Sequence, residues 1–288
     1  MTNDNNGGKA LESAANARVL RIEPTRGWAA LNLRDLWEYR DLFLILALRD
    51  VKLRYKQTAL GVIWVVLQPL ITALIFTVVF GNLANLPSDG MPYLLFSFAG
   101  MLPWNLFSQS LQRGGNSLVG SSALISKVYF PRMIIPMAST IAVLVDFAVA
   151  LVVMAGLLVY YQVPIGWNLL LVPPLMIATV VAASGVSLWV SALSVQYRDF
   201  IYALPFLLQA WMYASPVAYS TSLIPERWRA LYALNPLVGL IDGFRWSLLG
   251  HGSVAVSALA LAFATSALLF VSGATFFRRM ERSFADTI

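Results

Sequence analysis

The sequence contains no cysteine and a single histidine, His251. Without thiols there can be no disulfide bridge, no thiolate catalysis and no cysteine-bearing metal site, and one histidine excludes a multi-histidine site within the chain. We interpret His251 as a loop residue near a membrane face. The phosphate-binding pattern G-x-x-x-x-G-K-[ST] is also absent, so the chain does not hydrolyse nucleotides by that route. We therefore predict no catalytic residue and no metal or cofactor bound by this chain.

Charged residues are scarce as well, at 12% of 288 residues, whereas hydrophobic residues reach 59%. A soluble domain contains about 45–50% apolar residues. About 20 apolar residues suffice to cross the hydrocarbon core of a bilayer. Several runs of the chain reach that length, although the run at about 91–112 is interrupted by Gly100, Pro103 and Asn105. The sequence predicts an all-α integral membrane protein. Its six predicted transmembrane helices are at about 60–82, 91–112, 133–160, 169–196, 199–219 and 253–277.

Positive charge is distributed unevenly between the segments that join these spans. With six spans, 17 of the 20 Lys and Arg residues fall on one side, and only Arg227, Arg229 and Arg245 fall on the other. The positive-inside rule then makes the first side cytoplasmic. We predict a multi-pass protein of the inner (plasma) membrane with both termini in the cytoplasm. Because topology already accounts for the basic residues, no nucleic-acid partner is predicted.

Two segments precede the predicted permease domain, 60–288. Residues 1–32 are polar and predict a disordered cytoplasmic head. Residues 33–59 predict an amphipathic helix lying in the cytoplasmic interface, the alternative being a solvated linker. The proposed apolar face comprises Leu36, Phe43, Ala47, Leu48, Val51 and Tyr55.

The segment 220–252 is too apolar for a simple loop. Asn235 followed by Pro236 is a typical helix start, and the apolar run that follows, at 237–249, is shorter than a span. This pattern predicts short re-entrant helices between spans five and six, which are tolerated only where protein or water covers them.

Asp146 is an acid near the middle of the third span. An ionisable residue inside a membrane is a functional candidate, although a protonated or hydrogen-bonded packing residue is the alternative. Aromatic side chains are a second signal, because their faces stack on sugar rings while Gln68, Asn105, Gln109 and Gln209 can bond hydroxyl groups. Lipid-facing or core positions are the alternative for many of them. The predicted channel-lining or substrate-contacting residues are Trp64, Phe76, Phe80, Trp104, Phe107, Phe206, Trp211, Tyr213 and Tyr219.

Short motifs in a fixed order connect the chain to a known family. They are 54–61 (RYKQTALG) with Trp64 and 68–70 (QPL), Gly100 with Trp104 and Phe107, 124–127 (LISK) with 130–132 (FPR), 197–199 (YRD), 215–219 (SPVAY), 235–236 (NP) and 243–245 (GFR). Over about residues 33–288 the chain resembles the membrane subunit of ABC-type polysaccharide exporters, which move O-antigen, capsule or teichoic acid chains.

The resemblance implies a homodimer working with two copies of a separate ABC ATPase subunit, which binds the ATP and Mg. It also implies that spans one, two and five line the channel, that a hinge at 113–132 couples to the ATPase and that the segment 220–252 is the outer gate. The coupling residues would be Leu124, Ile125, Ser126 and Lys127. The gate residues would be Asn235, Pro236 and Arg245.

We hypothesise that the substrate is a polyprenyl-diphosphate-linked glycan, which is delivered from the cytoplasm and moves along the aromatic lining. Membrane lipids are the other predicted partners. Basic side chains near the cytoplasmic face would attract its diphosphate. The candidates are Arg54, Lys56, Arg113 and Lys127. Three rival functions remain: a drug or lipid exporter permease of the same superfamily, a membrane-embedded transferase, and a subunit that only anchors partners.

Overall fold

The computed structural model describes residues 37–56, 61–125, 130–251, 255–281 and 284, and within these ranges the regular secondary structure is entirely helical. The predicted head, 1–32, lies outside the described residues. A π-helical turn at Thr77–Leu83 continues the second helix, and 3₁₀ turns lie at Trp167–Leu171 and Thr221–Leu223. The α-helices are α1 Arg40–Tyr55, α2 Gly61–Phe76, α3 Tyr93–Gly120, α4 Ser122–Ile125, α5 Ile134–Ala142, α6 Leu144–Tyr160, α7 Val172–Gln196, α8 Phe200–Tyr213, α9 Glu226–Tyr232, α10 Pro236–Leu249 and α11 Val256–Glu281.

In the described ranges, four helical segments are long and apolar enough to cross a membrane: Ile63–Leu83, Ile134–Tyr160, Trp167–Gln196 and Val256–Glu281. Two of the six predicted spans are not among them. The second corresponds to α3, which is long but carries polar side chains, and the fifth corresponds to α8, which ends at Tyr213 after 14 residues. A helix of that length is about two-thirds of a span. The crossing of α3 and α8 therefore remains a prediction.

The helix α3 lies at the centre of the molecule. Eighteen of its residues are buried, and α7 is its most extensive neighbour. α7 in turn packs closely on α11, where Gly185 and Gly273 bring the two backbones together: a Cβ atom on Gly185 would lie 2.5 Å from the carbonyl carbon of Leu269. Close approach at small residues is how helices associate in lipid. This three-helix core supports the cavity described below.

α1 packs against α5. Leu46 and Ala47 are buried in the contact, and Ser139 Oγ donates a hydrogen bond of 2.7 Å to Asp50 Oδ2. Ala47 belongs to the predicted apolar face, but Leu48, also predicted for that face, is 55% exposed, and the buried Leu46 was not predicted. Of the predicted face, Phe43, Val51 and Tyr55 are partly buried as well, and Leu36 lies outside the described residues. The packed face therefore differs from the prediction at Leu46 and Leu48. The location of α1 in the membrane interface remains a prediction.

The segment 220–252 folds into the short helices α9 and α10. Asn235 caps α10, because its side-chain oxygen accepts a hydrogen bond of 3.1 Å from the Leu237 backbone N–H. Pro236 occupies the first turn, and Gly250 ends the helix with a left-handed φ of 68°, as is common at helix C-termini. Most of α10 is buried by protein. Its re-entrant position in the membrane remains a prediction.

Candidate functional site

A cavity of about 480 Å³ opens between α2, α3, α6 and α8. Its wall carries many polar side chains among apolar ones. The amide and hydroxyl side chains in the wall are Gln68, Thr72, Asn105, Ser108, Gln109, Gln112 and Gln209. The charged side chains in the wall are Arg54, Arg113 and Asp146.

The helix α3 supplies most of the polar wall. Asn105, Gln109 and Gln112 recur at spacings of four and three residues, so they lie on one helical face. α2 adds Gln68 and α8 adds Gln209 from opposite sides. The four side chains that the sequence suggested for hydroxyl binding, those of Gln68, Asn105, Gln109 and Gln209, therefore line a single cavity.

Asp146 is the centre of a charged cluster in this wall. Arg54 Nη1 donates a hydrogen bond to Asp146 Oδ2, and the Tyr55 hydroxyl donates one to Oδ1. Arg113 Nη2 lies 3.6 Å from Oδ2, and Arg54 Nη1 also contacts Gln109 Oε1 at 3.4 Å. The Asp146 side chain is only 6% exposed, against 24% for Arg54 and 30% for Arg113. The carboxylate is thus ion-paired and hydrogen-bonded within the cavity wall.

Tyr55 remains a neutral hydrogen-bond donor in this cluster. Burial, followed by its hydrogen bond to Asp146, raises the pKa of the phenol to about 12. Among the described residues, the cluster therefore contains two guanidinium groups and one carboxylate.

The predicted gate residues lie in a second region, where Arg245 and Pro236 are buried and Asn235 is partly buried. Arg245 is 5% exposed and donates hydrogen bonds to the carbonyl oxygens of Phe96 (3.3 Å), Val217 (2.8 Å) and Tyr219 (3.2 Å). Its guanidinium also stacks on the Phe96 ring, 3.7 Å from the centroid, and lies 3.8 Å from Asp242 Oδ1. Arg245 therefore joins α10 to α3 and to the loop after α8.

Asn235 joins the same region to α8. Its Nδ2 atom donates to Ser215 Oγ at 2.9 Å and to the Ala214 carbonyl at 3.3 Å. Its Oδ1 atom accepts from Trp211 Nε1 at 3.2 Å. The residue that caps α10 thus also fixes the C-terminal end of α8.

The predicted aromatic lining is only partly assembled within one chain. Phe76 and Trp104 line the cavity, and Phe80 packs edge-to-face on Phe76 with 5.5 Å between centroids. Phe107 is fully buried and packs on Trp211 instead. The side chains of Trp64, Phe206 and Tyr213 are exposed outside this cavity, at 59%, 75% and 60%. The Tyr219 hydroxyl bonds to the Tyr213 carbonyl and to the Tyr232 hydroxyl, each at 2.9 Å.

The predicted coupling and diphosphate residues are divided between described and undescribed positions. α3 continues to Gly120, so the first part of the predicted hinge 113–132 is helical. Leu124 is partly buried and Ile125 is buried, both in the hydrophobic cluster where α1 packs on α5 through Leu46 and Ile134. Ser126 and Lys127 lie outside the described residues, and Lys56 is exposed.

A second cavity, of about 830 Å³, lies between α8, α9, α10 and α11. Its lining is predominantly hydrophobic and includes Trp211, Trp228, Leu231 and Leu268. The two cavities thus differ sharply in polarity.

Sequence reasoning missed three polar residues that line the cavity, Thr72, Ser108 and Gln112. It also did not place Tyr55 beside Asp146. A usable signal was present in α3, because polar residues recur there with helical period through an otherwise apolar stretch. No local signal linked Tyr55 to Asp146, since 91 residues separate them.

Comparison with known proteins identifies the family. Residues 41–249 match the family described as ABC-2 type transporter. The chain is 31% identical over 264 residues to an O-antigen export system permease protein RfbA of Myxococcus xanthus, covering 89% of this chain and 98% of the relative. It is 27% identical over 250 residues to the RfbA protein of Klebsiella pneumoniae (86% and 95% covered), and 24% identical over 251 residues to the polysialic acid transport protein KpsM of Escherichia coli (82% and 92% covered). The chain therefore belongs to the ABC-2 type transporter family of membrane permeases.

Proposed function

We propose that this chain is the membrane-spanning subunit of an ATP-driven exporter that moves a lipid-linked polysaccharide across the inner membrane. The observation that carries the proposal is the polar cavity among apolar helices. Buried amide, hydroxyl and charged groups are costly in a bilayer unless they face water or a polar ligand. The names of the relatives, which refer to O-antigen and polysialic acid transport, support the same class of substrate.

The cavity wall suits a glycan. The amides of Gln68, Asn105 and Gln209 exchange hydrogen bonds with sugar hydroxyls, and the rings of Trp104 and Phe76 offer apolar faces. Because these contacts are spread along the wall, repeating sugar units move past without one tight site. In this mechanism the remaining predicted aromatics, including Trp64, Phe206 and Tyr213, contribute only where another chain or the glycan covers them.

The lipid anchor of the substrate is a polyprenyl diphosphate. Arg54 and Arg113 lie at the cavity wall, and guanidinium groups form strong bidentate contacts with phosphate oxygens. We assign them, together with Lys56 and Lys127, to the attraction of the diphosphate from the cytoplasmic side of the membrane.

The active assembly is a homodimer with two copies of a separate ABC ATPase, which binds ATP and Mg. The segment 113–132 and α1 contact the ATPase on the cytoplasmic side, and 220–252 acts as the outer gate. The ATPase must bind the closed and open channel states with different affinity, since otherwise ATP would shift no equilibrium.

Depletion of the chain in its host tests the proposal. We expect full-length lipid-linked polymer to accumulate at the cytoplasmic face while surface glycan is lost. Rescue by wild type should restore the surface glycan. The Asn105→Leu/Gln209→Leu variant should restore it only weakly, and Gln196→Leu, outside the cavity, should act as wild type. Unchanged surface glycan after depletion would exclude polysaccharide export.

The second candidate function is a drug or lipid exporter permease, favoured by the apolar cavity beside α9 and α11. Such a protein shares the ATPase partner but needs no polar wall. Stimulation of the ATPase of the purified complex by apolar drugs or phospholipids, with no response to a lipid-linked glycan, would select this function.

A further inference from the structure

The charged cluster at the cavity wall has an unusual composition. Arg54 comes from α1, Arg113 from α3 and Asp146 from α6, and the two guanidinium groups converge on the same carboxylate oxygen, Oδ2. Tyr55 holds the other oxygen. Three separate helices therefore meet through one carboxylate that lines the cavity.

Carboxylate and phosphate oxygens are interchangeable ligands for a pair of arginines, because both are anionic acceptors of charge-assisted hydrogen bonds. The carboxylate of Asp146 thus occupies a position that suits a phosphate oxygen. Among the described side chains, Asp146 sets one negative charge against two guanidinium groups. A diphosphate carries more negative charge than one carboxylate and competes with it favourably.

We propose that Asp146 is an internal competitor for the diphosphate of the lipid-linked substrate, occupying the anion site formed by Arg54 and Arg113 until the substrate displaces it. This inference rests on the proposed function and adds regulation of the same site. In the resting state Asp146 ties the C-terminal end of α1 to α6. When a diphosphate binds Arg54 and Arg113, the contact of α1 with α6 through Asp146 is lost. Binding of the substrate in the cavity therefore changes the contacts of α1.

Binding of farnesyl diphosphate to the purified full-length protein in detergent tests this proposal. Asp146→Asn removes the charge but preserves the shape, and we expect it to bind the probe about tenfold more tightly than wild type, which corresponds to ~1.4 kcal/mol. Asp146→Glu retains the competing charge and should bind within about twofold of wild type. Unchanged or weaker binding by Asp146→Asn would overturn the proposal.

Asp50→Asn is the matched control. Asp50 is also an acid paired with an arginine, at 2.9 Å from Arg49 Nη2, but it bonds to Ser139 of α5 and does not line the cavity. Its substitution should leave probe affinity unchanged. Equal tightening by Asp50→Asn would indicate a general charge effect and contradict a specific site.

Adding Arg54→Gln or Arg113→Gln to the Asp146→Asn background should abolish the gain in affinity, and retention of the gain would locate the diphosphate elsewhere.

Tyr55→Phe leaves every charge in place and removes the hydrogen bond that holds the Asp146 carboxylate. It should therefore tighten binding modestly even if Asp146→Asn fails to fold, and no change in this variant would count against the proposal. Inorganic pyrophosphate should bind more weakly than farnesyl diphosphate; equal binding would mean that the isoprenoid tail contributes nothing and would favour a soluble diphosphate as the ligand.

The binding assay contains no glycan, so it is independent of the depletion experiment. Tight farnesyl diphosphate binding by Asp146→Asn together with unchanged surface glycan would support the role of Asp146 as a competitor and contradict polysaccharide export. Loss of surface glycan on depletion, with unchanged probe binding by Asp146→Asn, would support polysaccharide export and contradict the role of Asp146 as a competitor.

Discussion

At the scale of single residues, three arginines join distant parts of the chain: Arg245 is buried, whereas Arg54 and Arg113 are partly exposed and reach the buried Asp146. Arg245 satisfies three backbone carbonyls and lies near Asp242. Arg54 and Arg113 pair with Asp146. Each guanidinium joins segments that are distant in sequence, because its planar fork of five donors reaches several acceptors at once.

Arg245→Gln should strongly destabilise the protein. The substitution leaves carbonyls of Phe96, Val217 and Tyr219 without a donor and Asp242 without its cation, and breaking a buried pair in this way costs roughly 3–5 kcal/mol. The measurement is the thermal unfolding midpoint of the purified protein in detergent.

The control for this prediction is Arg227→Gln. Arg227 is exposed and lies 5.9 Å from the Trp228 ring centroid, so its loss should change the midpoint little. Equal midpoints for the two variants would contradict a structural role for Arg245.

Gly100 makes room for the same guanidinium. A Cβ atom at this position would lie 2.6 Å from Arg245 Nη2 and 2.8 Å from the Val217 carbonyl oxygen. Gly100→Ala should therefore cost about 1–3 kcal/mol through overpacking, measured as a lowered unfolding midpoint. Gly156→Ala has open space within 4 Å and should be neutral or slightly stabilising. A neutral Gly100→Ala would mean that the Arg245 side chain moves away without cost.

At the scale of helices, the packed face of α1 departs from the predicted one at two neighbouring positions. The side chains of Leu46 and Ala47 are buried, whereas Leu48 is exposed. The chain has no cysteine, so engineered cysteine pairs report on this contact without background.

Oxidation of an Asp50→Cys/Ser139→Cys variant should cross-link α1 to α5, since the native side-chain oxygens are 2.7 Å apart. Adding Leu46→Ser should reduce the cross-linked fraction several-fold, because it removes about 1.5–3 kcal/mol of side-chain burial. Adding Leu48→Ser should leave the fraction unchanged. The yield is read from a shifted band on a denaturing gel, and a larger loss with Leu48→Ser would restore the face suggested by the sequence.

At the scale of the whole molecule, the membrane topology depends on whether α3 crosses the bilayer. If it crosses, the loop at 161–166 lies outside and the loop at 197–199 lies in the cytoplasm. If it does not, the two loops exchange sides. The positive-inside rule favours the first arrangement because Arg198 lies in the second loop.

Single-cysteine variants decide between these arrangements. We expect a membrane-impermeant maleimide to label Gln162→Cys in intact cells with a permeabilised outer membrane, and to label Tyr197→Cys only after the inner membrane is opened. The cysteine-free parent chain is the control for background labelling. The reverse pattern would mean that α3 does not cross, and it would overturn the six-span topology.

Much of the candidate site could be suggested from the sequence, because polar residues within apolar helices are conspicuous. Gln68, Asn105, Gln109 and Asp146 all line one cavity. The aromatic candidates were less predictable: Trp104 lines the cavity, whereas Phe107 is fully buried and packs on Trp211. An aromatic ring is equally stable against lipid and against protein, so its position along the helix does not reveal which it faces.

The sequence alone determined that this protein is helical and adapted to a membrane, and its motifs indicated the transporter family. Those properties are local, since run length and composition select a helix and its solvent. Only the tertiary structure decided that Arg54 meets Asp146, which lies 92 positions away, and that Leu46 rather than Leu48 is buried in the contact of α1. The rotation of each helix is set by packing with all its neighbours. In lipid, hydrophobic periodicity does not distinguish the core from the outer surface, because both are apolar.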